Sequence, residues 1–334
     1  MRPLGSRRPT VAVAGAGTIG RWHAYYARRA GADVVAIVEA DAERRAEVRR
    51  RYAGGRAYSS LGACLQAEVL DAVHVCTPSA THAALARAAL EAGVHALVEK
   101  PLAASAPETR SLVELAERSR VILAPVHQLP FQRGFRRVVD RLERLGPLVE
   151  VAYTTFSAGG EGRAGAQRRE LLFEILPHPL SLFGRLGVDV GDVRWRLPTL
   201  TDDELELHGE HGQTLLRARV GLRARPTRNQ LVLYGERATA HVDLFHGFGF
   251  VVGGDRATRA RKLAHPFAHG AHLVSAATTN AFRRATTREL AYPGLRELIE
   301  AFYAAIGGRA PAPVAPPEAT AVADVIERLR ATPP

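Results

Sequence analysis

The chain has 334 residues, of which 46% are hydrophobic, and this length predicts two well-packed domains. The net charge of +11 comes from arginines spread along the whole chain, aromatic residues make up only 6%, and no recognised nucleic-acid motif is present, so we expect no nucleic-acid partner. No apolar run is long enough to cross a bilayer, and the leader Met1 to Pro9 has three arginines but no apolar core, so we expect neither a membrane partner nor a signal peptide.

Two residue types are rare in this chain. The cysteines are Cys64 and Cys76, in a predicted helix and a predicted buried strand, which favours two reduced thiols and a cytoplasmic protein. The lysines are Lys100 and Lys262, so 43 of the 45 basic residues are arginine. A lysine in such an arginine-rich composition is a candidate for a role that arginine cannot fill, such as proton transfer. We expect no metal site.

The first predicted unit runs from Thr10 to Asp41 as strand, turn, helix and strand. Residues 11–14 are small and apolar, which predicts a buried parallel strand, and the following apolar residues recur at helical spacing until a glycine ends the helix. Gly15, Gly17 and Gly20 complete a G-x-G-x-x-G motif between strand and helix. We interpret this unit as a dinucleotide site; the alternative is a glycine-rich turn of another α/β protein.

Each part of the turn has a physical role toward a dinucleotide. Gly15 permits a tight turn, Gly17 lets the main chain approach a pyrophosphate, and Gly20 lets the helix lie close to the strand. The N–H groups of the first helical turn, at Thr18 and Ile19, face the anion.

An acidic residue, Glu39, closes the second strand of this unit. Its carboxylate can accept hydrogen bonds from both adenosine ribose hydroxyls and would repel a 2′-phosphate, which favours NAD(H) over NADP(H). Arg44 and Arg45 follow closely enough for a rearranged loop to hold a phosphate, so NADP(H) remains the alternative. A solvated charge at a strand end is the other interpretation of Glu39.

The remaining elements of the first domain alternate between helices and buried strands, which predicts a doubly wound parallel sheet over residues 1–125. Its ligand crevice lies at the carboxyl ends of the strands, so we expect Gly15, Glu39, Thr77 and Lys100 to converge there. The predicted strands are 72–76, 94–98 and 121–126, and the predicted helices are 42–52, 83–92 and 111–118, with Ser79 or Thr81 as the cap of the helix over 83–92.

Three motifs of this domain occur together: Gly15 to Gly20 with His23, Thr77-Pro78 with His82, and Glu99-Lys100-Pro101-Leu102-Ala103. In this combination they resemble the Gfo/Idh/MocA family, which includes glucose-fructose oxidoreductase, inositol dehydrogenase and the rhizopine-catabolism oxidoreductases. The resemblance continues at Leu145 to Val149, Tyr234 to Ala238 and Tyr292 to Gly307, and so covers most of the chain.

The resemblance implies an N-terminal Rossmann domain followed by a C-terminal α+β domain with a large, mainly antiparallel sheet. It also implies NAD as the cofactor, a homodimer or homotetramer, and a Lys-Pro peptide that is commonly cis. The cofactor-binding residues predicted from the motifs and the resemblance are Gly15, Gly17, Thr18, Ile19, Gly20, Glu39, Thr77, Pro78, His82, Glu99 and Lys100.

The second domain, predicted over residues 126–334, contains successive strands with short turns, which favours an antiparallel sheet. The segment 255–288 has no assignment. The predicted strands are 149–156, 204–208, 214–220, 229–234 and 241–245; the predicted helices are 131–145 and 319–330, and 157–166 is a glycine-rich loop.

Glu174 and His178 are a second set of candidate catalytic residues. On one helix, residues four apart share a face, and the carboxylate would orient the imidazole for acid–base work. The resemblance assigns them, with Lys100, to a catalytic group, although the family more often has aspartate at 174, glycine near 177 and a second aspartate at 181. A helix beginning at Pro177 or Pro179 would separate the two side chains. Otherwise His178 is a packed or capping histidine and Lys100 a surface charge.

These observations predict an NAD(H)-dependent oxidoreductase that transfers hydride between nicotinamide and a secondary alcohol or ketone of a sugar, polyol or specialised metabolite. Lys100 or His178 would accept the hydroxyl proton, and Gln128 and His178 would contact substrate. The segment 127–131 lacks the basic residue often present in the family, so a less polar substrate is also considered. The alternatives are a hydrolase or lyase with tightly bound NAD, and a dinucleotide-binding partner protein without catalysis.

Overall fold

The computed structural model describes residues 7–51, 56–253 and 259–332, apart from the side chains of residues 49, 51 and 259–262. Most of the leader, Tyr52 at the end of the second predicted helix, and the start of the unassigned segment 255–288 lie outside the described residues. The chain divides into two compact units, Met1–His127 with Leu295–Glu327, and Gln128–Gly294 with Arg328–Pro334. The boundary after His127 is two residues beyond the predicted one, and the late segment 295–327 groups with the first unit.

Strands and helices are numbered here along the described part of the chain. The strands are β1 (Thr10–Ala14), β2 (Asp33–Val38), β3 (Arg56–Tyr58), β4 (Ala72–Val75), β5 (His95–Val98), β6 (Leu123–Pro125), β7 (Leu148–Phe156), β8 (Arg196–Leu200), β9 (Glu204–His211), β10 (Thr214–Gly221), β11 (Arg228–Gly235), β12 (Ala238–Asp243) and β13 (Phe248–Gly253). The α-helices are α1 (Thr18–Arg29), α2 (Ala42–Arg51), α3 (Leu61–Ala67), α4 (His82–Glu91), α5 (Ala106–Ser119), α6 (Arg133–Val139), α7 (Gly165–Ile175), α8 (Pro177–Arg185), α9 (Arg259–Thr287), α10 (Leu295–Ile306) and α11 (Pro316–Ala331).

The first unit is built on a six-stranded sheet in the order β3-β2-β1-β4-β5-β6. All of its strand pairs are parallel, which confirms the predicted doubly wound sheet. β4 and β5 are buried at every position and β1 at every position after Thr10, as the runs of small and β-branched residues predicted. The order of the strands reverses between β1 and β4, which places the switch point of the sheet beside the glycine turn.

Alternate side chains of the central strand β4 face two different helical layers. Val73 and Val75 join the apolar cluster that α3, α4 and α5 form on one face. His74 points to the other face, where His23 of α1 and Tyr303 of α10 contact it. A polar side chain therefore occupies the middle of an otherwise apolar strand.

Side-chain caps explain where some of these helices begin. The Oγ atoms of Ser60 and Ser105 accept N–H groups in the first turns of α3 and α5, so these helices start directly after a serine. The predicted cap of α4 by Ser79 or Thr81 is wrong, because residues 79–81 form a 3-10 turn and no side chain caps α4. Thr81 Oγ1 donates instead to the Pro78 carbonyl at 2.8 Å.

The second unit contains a seven-stranded sheet in the order β13-β12-β11-β7-β10-β9-β8. Its pairs are antiparallel except β7 with β10, which confirms the expected mainly antiparallel sheet. The predicted helix over 131–145 is wrong in its extent, since α6 lies between two 3-10 turns, 129–131 and 142–144. The unassigned segment contains the 29-residue helix α9.

Two remaining expectations concern the cysteines and the membrane. Cys64 and Cys76 are both free and buried. Within the described ranges, no helix combines the length and the apolar character needed to span a bilayer.

Candidate functional site

The glycine turn after β1 is tight at its two ends and open in its middle. Gly15 has φ +99°, and a Cβ there would lie 2.5 Å from the Cys76 carbonyl oxygen. A Cβ on Gly20 would collide with the Gly15 carbonyl oxygen. At Gly17, by contrast, no described atom lies within 4 Å of the position that a Cβ would take. The turn thus leaves free space only at the glycine predicted to approach a pyrophosphate.

A cavity of about 780 Å³ lies at the carboxyl ends of the first unit's strands. Its lining includes five predicted cofactor residues, Gly15, Gly17, Glu39, Thr77 and Pro78. The volume falls within the usual range of small-molecule sites. Other predicted cofactor residues are not part of this lining: Thr18, Ile19, Gly20, His82, Glu99 and Lys100. Cavity residues that the sequence did not indicate are Ala14, Val38, Ala40, Asp41, Ser59, Ser60, Leu61, Cys76, Thr81 and Leu85.

Glu39 is held in a defined position at the end of β2. Only 8% of its surface is exposed, its Oε2 accepts the Ala16 N–H at 3.0 Å, and its Oε1 accepts the Asp41 N–H at 3.0 Å. Because the carboxylate oxygens have further lone pairs, they can still accept hydrogen bonds from a ribose. An open glycine turn beside a fixed acidic group is the donor and acceptor set that NAD requires, so the residues present fit this cofactor.

The two arginines considered for a 2′-phosphate have different surroundings. Arg45 donates to the carbonyl oxygens of Glu39 at 2.7 Å and Ala40 at 2.8 Å, so its guanidinium group is occupied by the main chain. Arg44 lines the cavity, and its Nε lies 3.6 Å from the carboxylate of Asp41. The NADP(H) alternative therefore depends on Arg44 alone.

Glu99, Lys100 and Pro101 directly follow β5. The Lys100-Pro101 peptide is cis, as in the family that the sequence resembles. The Lys100 N–H donates to Glu99 Oε2 at 3.2 Å. The ring nitrogens of His82 lie 2.7 Å from the Pro101 carbonyl oxygen and 2.8 Å from that of Thr77, so His82 joins the two motifs.

A buried histidine that the sequence analysis did not select stands near Lys100. His127 follows β6 and is 4% exposed. Burial lowers the pKa of His127 to about 4, while the neighbouring Glu99 raises it and Lys100 lowers it. His127 is therefore a neutral imidazole at pH 7. The pattern of the sequence gave no sign of its burial, because it lies at the end of a short strand.

The proposed acid–base pair of the second unit does not lie on one helix. Glu174 belongs to α7 and His178 to α8, which begins at Pro177. Leu176 between the two helices has φ −57° and ψ −28°, so the backbone stays helical across the boundary, and the expected contact between Glu174 and His178 remains a prediction. The His178 carbonyl accepts the Ser181 hydroxyl at 2.9 Å, and Gln128 precedes the turn 129–131.

Residues 10–127 match the profile of a family described as "Oxidoreductase family, NAD-binding Rossmann fold", Gfo/Idh/MocA. This match coincides with the strands, the glycine turn and the Glu-Lys-Pro motif of the first unit. Over these residues the chain therefore resembles the Rossmann domain of the Gfo/Idh/MocA family. Its description as NAD-binding agrees with the cofactor predicted from Glu39.

Curated proteins resemble part of the chain. The chain is 41% identical over 116 residues to UDP-N-acetylglucosamine 3-dehydrogenase of Acidithiobacillus ferrooxidans, covering 34% of this chain and 36% of that protein. It is 32% identical over 142 residues to an inositol 2-dehydrogenase of Corynebacterium glutamicum, covering 42% of this chain and 41% of that protein. The matches therefore span less than half of the length of these relatives.

Solved structures resemble the chain over nearly its full length. UDP-N-acetylglucosamine 3-dehydrogenase from A. ferrooxidans has a TM-score of 0.71 at 20% identity, covering 97% of both chains. The WlbA dehydrogenase from Bordetella pertussis, solved with NADH and UDP-GlcNAcA, has a TM-score of 0.72 at 17% identity, covering 98% of this chain and 96% of that one. At such identities the likeness shows the fold, in which a Gfo/Idh/MocA Rossmann domain is followed by a second sheet domain.

Proposed function

We propose that the protein is an NAD(H)-dependent oxidoreductase that transfers hydride between nicotinamide and a secondary alcohol or ketone of a sugar, polyol or specialised metabolite. The observation that carries the proposal is the position of Lys100, directly after β5 in a Gfo/Idh/MocA Rossmann domain. The names of the relatives, among them inositol 2-dehydrogenase and D-apiose dehydrogenase, support sugars and polyols as the substrate class.

The residues divide into those that bind and those that move a proton. The turn from Gly15 to Gly20 and the carboxylate of Glu39 would hold NAD, which supplies the hydride acceptor when bound. Oxidation of a secondary alcohol also removes the hydroxyl proton, and Lys100 is the proposed acceptor of that proton, with His178 as the other candidate. In the reverse direction the same group returns the proton to the oxygen of the ketone. Glu174 is proposed to assist His178.

Replacement of Lys100 tests this assignment. We expect Lys100→Met to lower kcat by about 10²- to 10⁴-fold, because general acid–base catalysis contributes a factor of that size. NADH affinity, measured by fluorescence titration, should stay within about twofold, since Glu39 and the glycine turn are untouched.

Lys100→Arg is the matched variant, because it keeps the positive charge but cannot exchange its proton near neutral pH. We expect it to lose turnover as well. Native kcat in either variant would contradict the role of Lys100.

We also propose a cytoplasmic homodimer or homotetramer. The two buried free thiols, Cys64 and Cys76, support a reducing compartment. The oligomer rests on the resemblance of the second domain to the family. Light scattering of the purified protein should give two or four times the chain mass of 36.1 kDa, and a monomer mass at micromolar concentration would contradict this part of the proposal.

A further inference from the structure

Four polar side chains of the first unit form a continuous buried chain. Tyr303 Oη lies 3.0 Å from His74 Nε2, His74 Nδ1 lies 3.1 Å from His23 Nδ1, and His23 Nε2 lies 3.1 Å from Glu99 Oε1. Both histidine rings are fully buried, and Tyr303 is 3% exposed. The other carboxylate oxygen of Glu99 accepts the Lys100 N–H at 3.2 Å. The chain thus leads from α10 across β4 and α1 to the Glu-Lys-Pro motif.

Donor and acceptor rules give this chain one direction. Among the residues that the structure describes, the Tyr303 hydroxyl has a single hydrogen-bond partner, His74 Nε2, so a satisfied hydroxyl must donate to it. His74 then carries its proton on Nδ1 and donates to His23 Nδ1. His23 carries its proton on Nε2 and donates to Glu99, which as a carboxylate only accepts. Each polar atom has a partner in this arrangement.

A proton added to His23 would reverse the two inner hydrogen bonds. His23 Nδ1 would donate to His74 Nδ1, and His74 Nε2 would donate to the Tyr303 oxygen. The Tyr303 hydroxyl would then lose its acceptor in a buried place, which is unfavourable. The phenol at the far end of the chain therefore stabilises the arrangement in which His23 donates to Glu99.

Burial acts in the same direction on His74. Burial lowers the pKa of His74 well below its usual value, and the neighbouring His23 lowers it further, so His74 stays neutral. Burial raises the pKa of Tyr303, with the nearby Cys76 adding to the effect, so the phenol keeps its proton. The other titratable groups that face the chain are His127 and Lys100, beside Glu99.

We propose that Tyr303, His74 and His23 form a positioning chain that orients the Glu99 carboxylate beside Lys100. Through it, a helix from the last part of the sequence, α10, holds the Glu99 carboxylate that accepts the main-chain N–H of Lys100. The consequence for catalysis rests on the proposed function, whereas the direction of the hydrogen bonds does not. Tyr303, His74 and His23 are positioning residues, because they act through Glu99.

The direction of the chain is measured by ¹⁵N NMR of protein labelled at histidine, with His74→Gln used to assign the signals. We expect the Nδ1–H tautomer, the less common one, for His74 and the Nε2–H tautomer for His23. In Tyr303→Phe only the Glu99 end still fixes the direction. The ratio of the His74 Nδ1–H form to its alternatives should therefore fall by about three- to tenfold, the factor expected for the loss of one hydrogen bond. An Nε2–H tautomer for His74 in the native protein would overturn the proposal.

Tyr153→Phe is the matched control, because it removes the hydroxyl of a buried tyrosine in the second unit. We expect it to leave the histidine tautomers and the pH–rate profile of alcohol oxidation unchanged. Tyr303→Phe should change that profile, because the chain that holds Glu99, which accepts the Lys100 N–H, then has one hydrogen bond fewer. Superimposable profiles for native protein and Tyr303→Phe would refute the catalytic consequence. A protein with the expected tautomers but no turnover of any alcohol would refute the proposed function instead.

Discussion

At the scale of single residues, we propose that Glu39 selects the dinucleotide that the cavity accepts. Glu39→Gln removes the negative charge, and its amide can accept only one of the two N–H groups, of Ala16 and Asp41, that the carboxylate accepts now. We expect the preference for NADH over NADPH to fall by about tenfold or more, because a hydrogen bond to a charged group contributes about 1.5–3 kcal/mol. Fluorescence titration with both cofactors measures the ratio.

Glu43→Gln is the control for this prediction. It makes the same chemical change at an exposed position in the first turn of α2. Its NADH to NADPH ratio should equal that of the native protein. An unchanged ratio in Glu39→Gln would show that the carboxylate does not select the cofactor.

The sequence allowed the positions of motif residues to be predicted. It did not predict contacts between residues that are far apart in the chain. Glu39 and Lys100 follow predicted strands, so their places at the edge of the sheet came from topology alone. His23, which contacts Glu99, comes from 76 residues before it, and Tyr303 comes from 229 residues after His74, which it contacts. No local pattern joins them. The sequence did indicate that a helix could begin at Pro177, and α8 begins there.

At the scale of elements, two glycines of the turn have different expected roles, Gly17 in cofactor binding and Gly20 in stability. In Gly17→Ala the added methyl group points into open space, but Gly17 is the N-cap of α1, so we expect a loss of about 1 kcal/mol or less in the free energy of unfolding. NADH affinity should fall by about tenfold or more. In Gly20→Ala the methyl group meets the Gly15 carbonyl, so we expect a loss of about 1–3 kcal/mol in stability. Calorimetry and NADH titration of both variants test the pair. Equal losses of stability would contradict the assignment of Gly17 to the cofactor.

The elements that the sequence did not predict lack strong local signals. β3 has three residues, and β8 contains Pro198, which a strand tolerates at the edge of a sheet, where β8 lies. α9 contains Pro266, so propensity argues against a helix there. The buried strands β1, β4 and β5 were predicted because every position in them is apolar or small apart from two histidines. Uniform burial is the pattern that sequence reasoning detects most securely.

At the scale of the whole molecule, buried neutral histidines make stability depend on pH. Burial lowers the pKa of both His95 and His127 to about 4, whereas an unfolded chain titrates near 6.5. Between these pH values the unfolded chain binds more protons than the folded one. The contribution of the neutral histidines to the free energy of unfolding is therefore complete above about pH 6.5 and is lost as the pH falls toward 4. For His127 alone, the free energy of unfolding falls by about 2 kcal/mol between pH 7 and pH 5.

Urea unfolding at both pH values measures this dependence. For the native protein we expect the midpoint urea concentration to be lower at pH 5 than at pH 7. For His95→Gln we expect a smaller difference between the two midpoints. Glutamine can still accept the Ile122 N–H that His95 Nδ1 accepts at 2.8 Å, but it takes up no proton. Equal midpoints at pH 7 and 5 in the native protein would contradict the neutral state of these histidines.

The central claim is net hydride transfer, and absorbance at 340 nm measures it most directly. The native protein is incubated with NAD⁺ and a panel of sugars, inositols and UDP-sugars, and each product is analysed by mass spectrometry. We predict sustained NADH formation with at least one member of the panel, matched by an equal amount of ketone and lost in Lys100→Met. A substrate that is converted without sustained absorbance at 340 nm would contradict the account, because bound NAD would then be reduced and reoxidised within each turnover, as in a lyase or hydrolase.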